Sequence, residues 1–236
     1  MQWGPWNRSN GGESVRPPWP AHGEAVTSAL AEPEAVEALE FVTGLMCTHD
    51  AAIPVDVQRE MAQTLQVSAF FAGKVGIAQT TSEGGILRAR EETGFNGHRV
   101  VTPRSPRTKY ARHHQGNCPN VAAGKTQWPK ECWDLMYFLD SVWCQREIGL
   151  QGGAMPGLKS IYDDPDYYSE FPDIARESLK VSAEENECLP GLFPNFEEWR
   201  HEVEAIAMDM FLCQVPVDEA VAEMDSVANM ILARGM

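Results

Sequence analysis

Residues Phe193 to Met236 read FPNFEEWRHEVEAIAMDMFLCQVPVDEAVAEMDSVANMILARGM, and their spacing predicts two consecutive amphipathic helices. Phe196, Trp199, Val203, Ile206, Met210 and Cys213 recur at intervals of three and four, which puts them on one face of a helix. Asn195 suits the N-cap, and Glu198 three residues on completes a capping-box pattern. Pro216 ends that helix. Val217, Val221, Met224, Ala228 and Ile231 then line a second at the same intervals. Two apolar stripes in succession need apolar partners, and those lie upstream.

Pro33 suits a first helical position, with Glu32 and Glu34 near the positive end of the dipole. Val36, Leu39, Val42 and Met46 form the apolar face that follows. A second helix is expected from Asp56 to Ala72, closed by Gly73. Lys74 to Gln79 alternates as a short strand. Gly84-Gly85 makes a turn, Ile86 to Glu92 a short helix, and His98 to Thr102 a strand stopped by Pro103. Residues 103–119 read as a loop, and Val121 to Ala123 as a short strand. Pro129 opens a helix with Cys132, Leu135, Met136, Leu139, Val142 and Trp143 on its apolar side. Gln151 to Gly157 is a break, and residues 160–190 read as irregular or weakly helical. Residues 1–30 look irregular, with Trp3, Trp6 and Trp19 among Gly and Pro and a turn at Gly11-Gly12. Helices interrupted by short strands give an α/β pattern.

The chain has 236 residues, 43% of them apolar and 22% charged, which excludes a largely disordered chain. Acids outnumber bases 34 to 19, for a formal charge of −15, and this opposes general polyanion binding. The exception is Thr93 to Lys130, which has no acid and carries Arg99, Arg104, Arg107, Lys109, Arg112, Lys125 and Lys130. Such an island holds an anionic ligand, offsets surrounding acid, or is a solvated loop. No apolar run reaches the roughly 18 residues of a membrane helix, and Met1 to Pro20 shows no signal-peptide pattern.

Catalytic motifs are missing. Gly124-Lys125-Thr126 has Pro119 where a phosphate-binding loop needs its first Gly. His113, His114 and Cys118 are not spaced as a metal site, and a solvated loop is the plainer reading. Asp163-Asp164-Pro165-Asp166 lacks the Gly and Glu of a calcium loop and reads as a capped turn. No nucleophile–base pair is legible, so neither an enzyme nor a metal or cofactor is expected. The six cysteines, Cys47, Cys118, Cys132, Cys144, Cys188 and Cys213, show no disulfide framework and read mainly as buried thiols.

The order of segments resembles the family 1 extracellular solute-binding proteins of ABC importers, the sugar-binding group that includes maltodextrin-binding protein. The likeness lies in WNRSNGGE (Trp6 to Glu13), EPEAVEALEFVTGLM (Glu32 to Met46), AFFAGKVGIAQ (Ala69 to Gln79) and VVTPRSP (Val100 to Pro106). It continues in HHQGNCPNVAAGKTQWPKECWDLMYFL (His113 to Leu139), GGAMPGLKS (Gly152 to Ser160), FPNFEEW and PVDEAVAEM. Each piece is weak alone; the eight in order span nearly the whole chain.

That resemblance implies an α/β, periplasmic-binding-protein-like (type II) fold, incomplete, with most of the C-lobe and an inserted N-lobe segment. Residues 1–101 would belong to the C-lobe, with 1–30 its irregular start. Residues 102–157 would be the N-lobe segment between two hinge crossings, and 158–236 the C-lobe's terminal helices. The chain would then correspond to roughly the C-terminal three-fifths of such a protein, as a truncated gene model, a fragment or a degenerate copy. The implied role is non-catalytic: two lobes close on a solute, and the closed form docks on a membrane permease. Aromatic rings hold a sugar's apolar faces and polar side chains its hydroxyls. Carried over by position, Trp6, Asn10, Gly116, Asn117 and Trp199 are the expected ligand contacts. Glu83 stands where relatives carry a stacking Trp, so it would accept hydroxyl hydrogen bonds or pair with the basic loop. The implied partners are a small-molecule carbohydrate or polyol and ABC permease subunits, with no nucleic acid. The protein would be a monomer, periplasmic or extracellular and membrane-anchored. An anionic sugar derivative is kept as a variant of this reading. Two other readings stay open: a cytoplasmic protein binding polyanions through residues 99–130, and a metalloenzyme using His113, His114 and Cys118.

Overall fold

The computed structural model of the protein describes residues 3–18, 20–21, 23–65, 69–78, 86, 94–98, 100–101, 103–110, 113–115, 122–151, 156–169, 171, 173–184, 186–188 and 193–234. The chain forms two compact units. The first comprises Met1–Ala69, Pro103–Gln115 and Glu187–Met236, and the second Phe70–Thr102 and Gly116–Asn186. These units are defined by packing. The lobe limits 1–101, 102–157 and 158–236 that the resemblance implies divide the chain differently.

The first unit is built on α2 (Pro33–Cys47) and the C-terminal pair α9 (Phe196–Phe211) and α10 (Val217–Arg234). The predicted stripes form its core: Leu39, Val42 and Met46 of α2 meet Val203 and Met210 of α9 and Val221, Met224, Ala228 and Ile231 of α10. The N-terminal thirty residues are more ordered than their composition suggested. They hold α1 (Gly4–Ser9) and an antiparallel pair, β1 (Val15–Arg16) with β2 (Thr27–Ser28), in register Val15↔Ser28. Arg16 pairs in a two-toothed fork with Glu32, at 3.1 and 2.7 Å. The Ser28 N–H donates to Asn229 Oδ1 of α10 at 2.8 Å. The helix α3 spans Val55–Leu65, shorter than expected, and a turn follows at 69–73.

Cys47 and Cys213 form a disulfide with Cα atoms 5.7 Å apart, which corrects the reading of both as inert thiols. The bond ties the end of α2 to the residues just after α9. Cys144 remains a buried thiol and Cys132 a half-buried one. Asn195 also departs from expectation. Its φ is +62° and its side chain makes no cap; Nδ2 donates instead to the Ile231 carbonyl at 3.3 Å. An N-cap needs extended backbone to aim its oxygen at the first turn, and the left-handed conformation removes that geometry.

His113–Gln115 (β3), expected as loop, pairs with β4 (Asn186–Cys188) in a two-stranded sheet. The strands expected over 74–79, 98–102 and 121–123 do not form among their described residues. Ile77 and Val100 are exposed there, so the alternating pattern finds neither a covered face nor a ladder partner.

In the second unit the helix expected from Pro129 is two: α4 (Pro129–Leu139) and α5 (Val142–Leu150). Ser141 adopts extended backbone between them, and its Oγ accepts from the Cys144 N–H at 3.3 Å, so a true N-cap divides the stripe. Residues expected as irregular or weakly helical form α6 (Lys159–Tyr162), α7 (Pro165–Ser169) and α8 (Asp173–Glu184). The capped turn expected at Asp163–Asp166 is present, with Asp164 Oδ1 accepting from the Asp166 N–H at 2.9 Å. Ile161, Tyr167, Tyr168, Phe171 and Leu179 form this unit's core. Gly149 lets Tyr167 and Pro156 close in: a Cβ there would lie 2.6 Å from the Tyr167 hydroxyl and 2.7 Å from the Pro156 ring. Of the expected short helix, Ile86 is helical; the rest lies outside the described residues.

Candidate functional site

Trp6 and Asn10 are four residues apart, so they project from the same side of α1 and its C-cap. Glu34, Glu37 and Phe41 share one side of α2 by the same periodicity. The two sides meet. Trp6 packs on Phe41 with ring centroids 5.7 Å apart, and Asn10 Nδ2 donates to the Glu34 carbonyl at 3.0 Å and to Glu37 Oε2 at 2.9 Å. Close approach of the helices depends on Gly12, where a Cβ would lie 1.9 Å from Asn7 Oδ1 and 2.9 Å from the Ala35 nitrogen. Asn7 itself is buried, with neither side-chain polar atom partnered among the described residues.

A third piece, the segment 103–110, lies against this pair. The Ser105 hydroxyl donates to Asn10 Oδ1 at 3.0 Å, and the Thr108 hydroxyl donates to the Ser9 carbonyl. Arg107 spreads its guanidinium over two carboxylates, with Nη1 on Glu34 Oε1 at 2.9 Å and Nη2 on Glu37 Oε2 at 2.8 Å. These ion pairs are solvent-exposed and contribute little stability. Their role is to fix where the segment sits. The Asn10 amide, followed by the Arg107 guanidinium, holds the Glu37 carboxyl below the ordinary carboxylate range.

A depressed carboxylate pKa stabilises the fold above the unfolded value, about 4.3 for Glu, and that contribution is lost as pH falls through the folded value. Wild type should therefore melt slightly above Glu37→Gln near neutral pH, and the gap should close in acid. A gap that persists unchanged at low pH would show that the carboxylate charge is not what holds the segment.

The other expected contacts fare differently. Trp199 is 6% exposed, edge-on to Phe193 at 5.5 Å and stacked on Phe196 at 6.1 Å, with Nε1 unpartnered among the described residues. It lies in the core of the first unit. Glu83, Gly116, Asn117 and Cys118 lie outside the described residues. Among the described residues no group of three His, Cys, Asp or Glu side chains could hold a metal ion. The basic island is partly spent on neutralising acid: Arg107 holds Glu34 and Glu37, and Lys130 holds Asp134 at 2.6 Å. Glu34, Glu37, Phe41 and Ser105 were not anticipated. The available signal was Phe41, a large aromatic on the polar side of α2, in helical step with two carboxylates. The cluster offers a partly exposed aromatic pair beside carboxylate, amide and guanidinium groups. It suits a ligand with apolar faces and hydroxyl edges.

No protein-family model matches the sequence, and no curated protein matches it significantly. Solved structures do match. An ABC substrate-binding protein from Listeria monocytogenes, solved in complex with cycloalternan, superposes with a TM-score of 0.74 over 98% of this chain at 11% identity. The chain carries the fold of the maltodextrin-type solute-binding proteins. The maltose-maltodextrin-binding protein of Alicyclobacillus acidocaldarius has this solute-binding fold, with a TM-score of 0.68 at 14% identity over 95% of the chain. So does UgpB from Mycobacterium tuberculosis, solved with glycerophosphocholine, at 0.67 and 20% over 98%. The chain spans 56%, 59% and 55% of those three proteins respectively, so it covers a little over half of a complete solute-binding fold.

Proposed function

We propose that the chain is the non-catalytic solute-binding component of an ABC importer, taking a sugar or sugar derivative and delivering it to membrane permease subunits. The observation that carries this is the superposition of 98% of the chain on a substrate-binding protein at a TM-score of 0.74. In this reading residues 1–101 and 158–236 belong to the C-lobe, and 102–157 to the N-lobe. Trp6, with Phe41 beside it, stacks on the solute. Asn10 acts through the segment it anchors, and Glu83, Gly116 and Asn117 approach the solute from stretches outside the described residues. The packing of Trp199 favours a core role for it. Arg107 already holds two carboxylates, which favours a neutral solute over an anionic one. The same pairing weakens the polyanion-binding alternative.

The reading places the protein outside the cytoplasm, periplasmic or extracellular and membrane-anchored. The Cys47–Cys213 bond supports this, because disulfides persist in oxidising compartments. No helix among the described residues is long and apolar enough to cross a membrane.

The test is thermal melting against a panel of neutral sugars (maltose, maltotriose, trehalose) and anionic ones (glucuronate, glycerol 3-phosphate). A ligand at about 100 times its Kd adds about 2.7 kcal/mol, or roughly 5–11 °C for a chain of this size. Trp6→Ala should weaken the best binder about tenfold, the loss of one stacking contact. If no sugar moves the melt, or if Trp6→Ala binds like wild type, the proposal fails in whole or at that residue.

A further inference from the structure

Glu37 is a surface carboxylate with an unusually fixed position. Its side chain is 56% exposed, yet Oε2 accepts from Asn10 Nδ2 at 2.9 Å and from Arg107 Nη2 at 2.8 Å. The two donors come from different stretches of chain, the C-cap of α1 and the segment 103–110. Each donor is itself held. Asn10 Nδ2 also donates to the Glu34 carbonyl at 3.0 Å, and its Oδ1 accepts from the Ser105 hydroxyl at 3.0 Å. Arg107 Nη1 donates to Glu34 Oε1 at 2.9 Å. The second oxygen of Glu37, Oε1, takes no partner among the described residues. An exposed glutamate ordinarily samples many rotamers, and ordering it on binding lowers affinity. Here the fold orders it before any ligand arrives. Glu37 also stands one helical turn before Phe41 on α2, so the two share a side, with Cβ atoms about 5–6 Å apart. Phe41 is 53% exposed and is the more open ring of the Trp6–Phe41 pair. A flat apolar face laid on Phe41 therefore brings its edge alongside Oε1.

We propose that Glu37 determines specificity at this site: its Oε1 accepts a hydrogen bond from one hydroxyl of a neutral sugar stacked on Phe41, and Arg107 is the positioning residue that aims it. The proposal rests on the solute-binding reading and narrows it to sugars or polyols with a free hydroxyl at that edge. An ionised carboxylate accepts hydrogen bonds and donates none. The Asn10 amide and the Arg107 guanidinium hold the Glu37 carboxyl in its ionised form. Oε1 therefore suits a donor. A hydroxyl supplies one. A fluorine, an ether or a phosphate ester in its place brings an acceptor against an acceptor, and the site rejects it. Selection of this kind is by the loss of a specific partner and not by size.

The test is calorimetric binding to the 236-residue chain. The probes are maltose, maltotriose and trehalose, then analogues of the tightest of the three with one hydroxyl at a time replaced by fluorine, which is similar in size and cannot donate. In wild type one analogue should bind about tenfold more weakly than its parent. Glu37→Gln should bind the parent about tenfold more weakly and that analogue with no further loss, because the amide can turn an N–H toward the fluorine. Arg107→Ala releases the same segment but keeps the carboxylate. It should weaken the parent several-fold while the gap between parent and analogue survives, and Arg107→Lys should recover part of the loss. Both positions form exposed pairs, so unliganded melts within a few degrees of wild type check the fold. If Glu37 only holds the segment in place, the gap survives in Glu37→Gln as well, and the proposal is overturned. It is also overturned if wild type distinguishes none of the analogues, or if glucuronate or glycerol 3-phosphate binds and no neutral sugar does. In each of these cases the broader solute-binding reading stands. If no solute in the panel binds, both fall together.

Discussion

Replacing Cys213 with serine, or reducing the Cys47–Cys213 bond, should lower the melting temperature by about 4–20 °C, the equivalent of about 2–5 kcal/mol. The bond closes a loop with a sequence separation of 166. In the chain-entropy account a loop of that size restricts the unfolded ensemble by about 5 kcal/mol, near the top of the observed range. Both cysteines are exposed on the first unit, so a mild reductant should reach them without prior unfolding. Melting curves with and without dithiothreitol, on wild type and on Cys213→Ser, make the check. The serine variant should match reduced wild type and no longer respond to the reagent. If reduction leaves the wild-type melt unchanged, the bond is not holding the unit together.

Phe211→Ala should cost about 3–5 kcal/mol, enough to drop the melt by roughly 6–20 °C or abolish the transition. Phe211 ends α9 and is 1% exposed in the core of the first unit. Truncating it removes apolar contacts and leaves a cavity that the packed helices cannot fully close. Phe138→Ala is the internal comparison. It deletes the same atoms from an exposed position and should stay within about 0.5 kcal/mol in the isolated chain. Equal losses for the two would contradict the burial assigned to both. Phe211 lies two residues from Cys213, so the two perturbations should not add independently.

The parts of the fold that the sequence revealed share one physical property: they are long helices with one apolar face. Three- and four-residue spacing marks that face directly, which is why α2, α9 and α10 were legible from Val42, Val203 and Met224. Spacing does not say what a face meets. Nothing in the local pattern links Cys47 to Cys213, because their pairing follows from helix packing far along the chain. Asn195 shows the same limit on a smaller scale. Its residue type suits a cap, but its backbone is left-handed and its Nδ2 reaches the Ile231 carbonyl of α10 instead. Short strands were the least legible, since alternation over five or six residues counts only where a neighbouring strand completes the ladder. In the candidate cluster, Trp6 and Asn10 are the members to which the resemblance points. Phe41, Glu37 and Ser105 were missed because they become a cluster only when α1, α2 and the segment 103–110 come together.

The first unit is assembled from three separated stretches of chain, and its closure joins the two ends: Ser28 bonds Asn229 across 201 positions. A ribosome adds about 5–20 residues per second, so α10 emerges on the order of ten seconds or more after β2. During that interval the side of α2 that meets α9 and α10 is uncovered, although Trp3, Val15 and Leu30 can already pack in the same core, and the nascent chain cannot reach its final form. Folding of this unit therefore waits until α10 has been made. A polypeptide held open in this way stays threadable, and a holding chaperone has a defined window in which to bind it.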